Sequence, residues 1–192
     1  MRVHSNSIAG TGKVNEDRLL VKVITKDSLL AVLADGMGGL YYGDLAAALA
    51  VDAVNATFAG NGVIDESTFG KAISMADRAI TSESERLGTK MGCAITIAWI
   101  KHSQLWFSHI GNVRIFIRES GNWKCLTEDH TYVDEARGTY LTRCLKGTGL
   151  REKPLVQHVD LEPNWAIRIC TDGFYNHDST DDASVIEISD NT

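Results

Sequence analysis

Two long helical patterns stand side by side in the first half of the chain, and every other element pattern is a short strand. Apolar residues recur at helical spacing from Leu45 to about Phe58, and again after Asp65 as far as about Leu87. The remaining apolar runs are short and separated by tight turns, such as Ser120-Gly121-Asn122. Helices and strands segregated in this way predict an α+β fold with antiparallel sheets and argue against a doubly wound parallel sheet.

The boundaries of these elements follow from capping and turn residues. Asp44 is the predicted N-cap of the first helix and Gly60 its stop, while Asp65 and Gly88 bracket the second helix. The strand patterns are 18–24, 28–34, 93–100, 105–110, 113–118, 123–126, 155–159, 165–170 and 184–188. The polar stretch from Thr127 to about Lys153 is predicted to be irregular.

Length and charge narrow the classes of protein that are possible. We assign residues 1–192 to a single domain, which is long enough for a well-buried core. The net charge of −6 argues against a nucleic-acid partner. Five basic residues are spread along one loop-like region: Arg137, Arg143, Lys146, Arg151 and Lys153. They are interpreted as a solvated surface, and the alternative is a basic rim for an anionic substrate.

The apolar runs and the cysteines indicate the expected location of the protein. No apolar run is long enough to span a bilayer, so no membrane association is expected. The four cysteines are widely spaced without a CxxC pair, which favours a reduced, cytoplasmic setting. A monomer is the expected oligomeric state.

Carboxylates recur at the ends of the apolar strand patterns. Asp35 follows one strand and precedes Gly36, and Asp172 follows another and precedes a glycine. Asp181 comes just before the last strand pattern, and Glu16-Asp17 directly before the first. A carboxylate at the tip of a buried strand is costly unless it is paired or bound to a metal. If these strand ends converge, hard divalent cations would remove the repulsion between the carboxylates.

Six segments, taken in order, resemble the PPM, or protein phosphatase 2C-like, family of metal-dependent protein phosphatases. They are Asn15-Glu16-Asp17-Arg18, Ala34-Asp35-Gly36-Met37-Gly38-Gly39, His109-Ile110-Gly111-Asn112-Val113-Arg114, Leu126-Thr127-Glu128-Asp129-His130, Cys170-Thr171-Asp172-Gly173-Phe174 and Asp181-Asp182-Ala183-Ser184. The ordered set covers nearly the whole chain. The resemblance implies a four-layer α-β-β-α sandwich whose two central sheets are antiparallel, with two Mn²⁺ or Mg²⁺ ions at one end.

The resemblance also implies roles for individual residues. Asp35 matches the aspartate that bridges the two metals, and the carbonyl of Gly36 matches a ligand of the second metal. Asp172 and Asp181 match ligands of the first metal. Glu16 and Asp17 match the acidic pair near the second metal. Lys13 lies close to the position where the family often has a phosphate-binding arginine.

The expected activity is hydrolysis of phosphoserine or phosphothreonine in proteins by a water or hydroxide that bridges the two metals. The short region from Thr127 to Lys146 and the few residues between Asp172 and Asp181 resemble compact bacterial phosphatases of signal transduction and stress response. The flap region next to the site is therefore expected to be short.

Two other functions compete with this interpretation. Asn112 stands where many relatives have an aspartate for a third metal, which leaves open a catalytically silent module that binds phosphoproteins. Gly10-Thr11-Gly12-Lys13 is superficially a nucleotide-binding loop, but Val14 follows where the pattern needs Ser or Thr. The second alternative is therefore disfavoured.

Overall fold

The structure is a computed structural model that describes residues 1–37, 40–60, 63–136, 138–150 and 153–190. Gly38 and Gly39 of the glycine-rich segment, and Arg137 and Arg151 of the basic region, lie outside the described residues.

Two long helices follow the first three strands, and the rest of the described chain consists of strands and one helical turn. The first half contains β1 (Arg2–Ile8), β2 (Arg18–Thr25), β3 (Ser28–Gly36), α1 (Gly43–Phe58) and α2 (Glu66–Leu87). The second half contains β4 (Cys93–Lys101), β5 (Gln104–Ile110), β6 (Arg114–Glu119), β7 (Asn122–Cys125), β8 (Thr131–Asp134), β9 (Gly138–Leu141), β10 (Gln157–Asp160), β11 (Ala166–Cys170), α3 (Asp172–Tyr175) and β12 (Ala183–Ser189).

Two five-stranded antiparallel sheets pack face to face. The first sheet has the order β10-β5-β4-β3-β2 and the second the order β1-β12-β11-β6-β7. Alternate residues of β3 separate the two cores: Leu29, Ala31 and Leu33 face the second sheet, whereas Leu30 and Val32 face the helices. The predicted sandwich of helices and two antiparallel sheets is therefore confirmed.

The helical layers are unequal. Helices α1 and α2 pack together over the outer face of the first sheet. On the second sheet the described helical layer is the single turn α3, in which Phe174 lies 5.7 Å from the guanidinium of Arg168 on β11. Most of the outer face of the second sheet is therefore without a helix in the described part of the chain.

Helix α2 begins and ends where the sequence predicts. The Asp65 side chain accepts the backbone N–H of Thr68, the Thr68 hydroxyl completes a capping box, and Gly88 closes the helix in the left-handed conformation. Helix α1 ends at Phe58 as predicted, but the predicted N-cap is wrong: Asp44 lies in the first turn, and the N-cap is Tyr42, at a φ of 61° and without a side-chain hydrogen bond.

Four elements escape the sequence prediction: β1, β8, β9 and the single turn α3. Strand β1 is exposed along its whole length and pairs with β12, so it lacks the apolar alternation that marks a half-buried strand. Strands β8 and β9 form a short hairpin inside the stretch predicted to be irregular. We call this hairpin the flap hairpin. None of the described helices is both long and apolar enough to cross a membrane.

Candidate metal centre

Three of the predicted carboxylates meet in one cleft at the end of the two sheets. Asp35 lies at the end of β3, Asp172 begins α3 directly after β11, and Asp181 precedes β12. All three line a cavity of about 330 Å³, which we call the metal cleft, together with Gly36, Met37, Ala94, Asn112 and residues of the flap hairpin. Antiparallel pairing thus brings together residues that are far apart in the sequence.

Asp35 and Asp172 form the electrostatic centre of the metal cleft. Burial raises the pKa of the Asp35 carboxyl well above its ordinary value, and the neighbouring carboxylates raise it further. The pKa of Asp172 is also raised, first by burial and then by Asp181. Burial and the crowding of these carboxylates therefore disfavour their charged forms, and both effects would be relieved by a bound cation.

Asp17 lies behind this pair and is 3% exposed. Its Oδ2 lies 3.1 Å from the Thr171 hydroxyl, whereas its Oδ1 is buried and has no hydrogen-bond partner among the described residues. Burial raises the pKa of Asp17 to about 7, although hydrogen bonds from Ser184 and Thr171 oppose the shift. An unpartnered buried carboxylate oxygen next to the metal cleft is a position that a cation or its water shell would fill.

The adjacent residues Asp181 and Asp182 have different tasks. Asp182 is buried, and its two oxygens accept the backbone N–H groups of Gly10 at 2.8 Å and Glu16 at 2.7 Å. It therefore fixes the segment that carries Asp17. Asp181 faces the metal cleft, and its Oδ1 lies 3.1 Å from the ammonium of Lys13. The structure thus places Lys13 at the edge of the cleft, where it can meet an anionic ligand.

Glu16 lies beside the metal cleft, behind Gly36, and does not itself line the cleft. Its carboxylate accepts a hydrogen bond from the backbone of Gly43, at the start of α1. A Cβ atom on Gly36 would lie 2.5 Å from the carbonyl carbon of Gly43 and 2.8 Å from Cβ of Glu16. Only glycine allows this close approach, which carries the backbone of residue 36 into the cleft wall.

Asn112 contributes a hydrogen-bond donor to the metal cleft. Its Nδ2 donates to Oδ2 of Asp172 at 2.8 Å. The amide therefore orients the Asp172 carboxylate and adds no negative charge to the metal cleft. This contact gives Asn112 a defined role next to a predicted ligand.

The donor set of the metal cleft suits a hard divalent cation. Among the described residues, no three His, Cys, Asp or Glu side chains already stand in a metal-binding arrangement. The cleft nevertheless presents carboxylate oxygens from three separate strand ends, backed by the unpartnered oxygen of Asp17. Oxygen ligands without thiolate or imidazole favour Mg²⁺ or Mn²⁺ over softer metals.

Thr171 is the residue that the sequence analysis missed. It is fully buried, its hydroxyl contacts Asp17, and its Oγ1 accepts the backbone N–H of Ser184 at 3.0 Å. It therefore ties the two ends of the site together. A polar residue directly before the strand-end aspartate was the available signal.

The nucleotide-binding alternative is not supported by the local structure. Residues 10–13 form a turn that leads into β2, with no helix after Lys13 to receive a phosphate.

Comparison with known proteins identifies the class. The family model for Protein phosphatase 2C matches residues 6–190. The chain therefore belongs to the protein phosphatase 2C family. It is 24% identical over 189 residues to a protein phosphatase 2C-type sequence of Streptococcus pyogenes serotype M6, covering 91% of this chain and 76% of the relative.

Solved structures share the fold. The serine/threonine phosphatase PstP/Ppp of Mycobacterium tuberculosis superposes with a TM-score of 0.82 at 19% identity, over 97% of each chain. The catalytic domain of PstP in complex with two manganese ions superposes with a TM-score of 0.79 at 21% identity, over 97% of this chain and 96% of the other.

Proposed function

We propose that this protein is a protein serine/threonine phosphatase that depends on two Mn²⁺ or Mg²⁺ ions. The observation that carries the proposal is the convergence of Asp35, Asp172 and Asp181 on one cleft in a chain of this family. The two manganese ions in the PstP complex support the same metal count for this chain. Bound ions would supply a hydroxide nucleophile near neutral pH and neutralise the phosphoryl oxygens.

We assign a different role in metal binding to each of the predicted ligands. Asp35 would be the ligand shared by the two ions, and Asp172 and Asp181, which line the same cleft, would hold the first ion. The Gly36 carbonyl would hold the second ion, and Asp17 would act on it through water. Glu16 is the least direct of the predicted ligands, because its carboxylate is turned towards Gly43.

Lys13 and Asn112 assist without holding a metal. The Lys13 ammonium, now 3.1 Å from Asp181, can contact a non-bridging oxygen of a bound phosphoryl group. Asn112 keeps Asp172 in one orientation through its 2.8 Å hydrogen bond. The phosphoryl group would thus enter a site whose ligands are fixed before it arrives.

The substrate is proposed to be a protein that carries phosphoserine or phosphothreonine. A role in bacterial signal transduction and stress response, a cytoplasmic location and a monomeric state stay predictions from the sequence.

Hydrolysis of p-nitrophenyl phosphate tests the activity. We expect turnover with Mn²⁺ or Mg²⁺, none with EDTA, and loss in both Asp35→Asn and Asp172→Asn. Asp52→Asn, an exposed carboxylate on α1, is the matched control and should retain full turnover. A folded protein that hydrolyses neither this ester nor a phosphopeptide with any divalent metal would favour the silent binding module instead.

A further inference from the structure

A second cavity adjoins the metal cleft and is not used by the proposed chemistry. It measures about 520 Å³ and lies along the segment that follows the flap hairpin, with Ile110, Thr142, Arg143, Lys146 and Thr148 in its lining. We call it the basic cavity. None of the described residues that line it is acidic, although the whole chain has a net charge of −6.

The basic cavity touches the metal cleft over two glycines. A Cβ atom at Gly92 would lie 3.1 Å from Sδ of Met37, which lines the cleft, and 3.3 Å from Cβ of Lys146. A Cβ atom at Gly111 would clash with Ala94, also in the cleft lining, and would lie 3.7 Å from the carbonyl of Arg143. The two spaces are therefore separated by about one layer of backbone.

The loop that carries Lys146 and Thr148 is fixed to helix α2. The buried carboxylate of Asp77 accepts the backbone N–H groups of Gly147 and Gly149, each at 3.0 Å. A Cβ atom at Gly147 would lie 2.7 Å from Cα of Thr81, so the loop is pressed against the helix. The nearby negative charge of Asp77 is thus bound by backbone donors behind the loop, and the Lys146 side chain lies on the solvent side.

The chemistry of the lining points to an anionic side chain. Arg143 and Lys146 supply positive charge, Thr142 and Thr148 supply hydroxyl donors, and Ile110 offers an apolar surface for methylene groups. A peptide bound with its phosphoryl group in the metal cleft extends about 3.3 Å per residue. A side chain within about three positions of the phosphorylated residue can therefore reach the basic cavity.

Resting on the proposed phosphatase function, we propose that the basic cavity binds a carboxylate side chain of the substrate, close in sequence to the phosphorylated residue. The substrate class is then a phosphoprotein segment with an acidic flanking residue. This assigns a role in specificity to Lys146 and Arg143, which the metal chemistry leaves unused.

A phosphopeptide series measures the preference directly. The parent peptide has alanine on both sides of phosphoserine, and single Glu or Lys residues replace alanine at each of the three positions on either side. At low ionic strength we expect Glu in at least one position to raise kcat/KM about three- to fivefold over alanine, as for partly exposed ion pairs. High salt should remove the preference.

Charge reversal separates this inference from the activity itself. Lys146→Glu should turn the preference from Glu to Lys at the same peptide position, whereas Lys124→Glu on the exposed strand β7 should leave the wild-type preference intact. Equal kcat/KM for Glu, Ala and Lys peptides at every position, with the alanine peptide still hydrolysed, would overturn the subsite and leave the phosphatase standing. No hydrolysis of any phosphopeptide or of p-nitrophenyl phosphate would overturn both.

Discussion

Replacing Asp35 by asparagine should have opposite effects on the metal-free and the metal-bound protein. In the metal-free protein the half-buried Asp35 carboxyl lies beside the carboxylates of Asp172 and Asp181, and burial together with these charges raises its pKa. An amide has a similar shape, carries no charge at any pH and can donate a hydrogen bond through its Nδ2. The variant therefore keeps the shape of the side chain and loses the repulsion.

The expected gain in unfolding free energy follows from the cost of a poorly solvated carboxylate. Relief of a buried, unfavourable carboxylate is worth about 1–3 kcal/mol at pH 8, where the wild-type cluster is most charged. For a domain of this length, 1 kcal/mol corresponds to about 2–4 °C in Tm. In EDTA we therefore expect Asp35→Asn to melt higher than the wild type by about 2–12 °C.

Addition of Mn²⁺ should make the wild type melt at a higher temperature than Asp35→Asn. A ligand at a thousand times its Kd stabilises the native state by about 4.1 kcal/mol, which exceeds the advantage of the variant; the wild type gains this stabilisation and the variant loses most of it. Differential scanning fluorimetry at pH 8, with EDTA and then with a Mn²⁺ titration, measures both effects, and Asp52→Asn serves as the exposed control. An apoprotein variant less stable than wild type, or one that retains the full Mn²⁺ shift, would refute the reasoning.

Three further predictions concern Asp17, Asp182 and Gly36. The native pKa of Asp17, about 7, exceeds its ordinary 3.8, so the native state binds more protons than the unfolded state between these values. Urea unfolding in EDTA should therefore show stability falling from pH 4 to 7, and Asp17→Asn should flatten that slope. Asp182→Ala removes a buried acceptor of two backbone N–H groups and should cost about 2–4 kcal/mol of unfolding free energy in EDTA, whereas Asp181→Ala should cost under about 1 kcal/mol. Gly36→Ala should destabilise by about 1–3 kcal/mol because its Cβ meets backbone, whereas Gly70→Ala, with open space in α2, should be neutral or stabilising in the same unfolding assay.

The sequence predicted best those features that depend on local patterns. The capping box at Asp65 and the left-handed Gly88 are set by neighbouring residues, and both lie where expected. Strand β1 could not be found in the same way, because its partner β12 lies at the other end of the chain and leaves all seven residues exposed. The Tyr42 cap also depends on context, since tyrosine has no local preference for that position.

The candidate site shows the same division between local and distant information. The strand-end aspartates were identifiable because each lies beside an apolar run: Asp35 and Asp172 follow one and precede a glycine, and Asp181 comes just before one. The different tasks of Asp181 and Asp182 could not be identified from the sequence. The two carboxylates are adjacent, and only the hydrogen bonds from the distant Gly10 and Glu16 to Asp182 distinguish them. The orienting contact from Asn112 to Asp172 joins positions 60 residues apart, which no local pattern encodes.

The long-range anchoring of the site has a consequence for the order of folding events. The hydrogen bonds from Gly10 and Glu16 to Asp182 close loops of 172 and 166 residues. Contacts so distant along the chain form late, since the entropy of loop closure must be met before they stabilise anything. Divalent cations should therefore slow unfolding strongly while leaving the refolding rate nearly unchanged, because the chelating carboxylates are not yet assembled in the transition state.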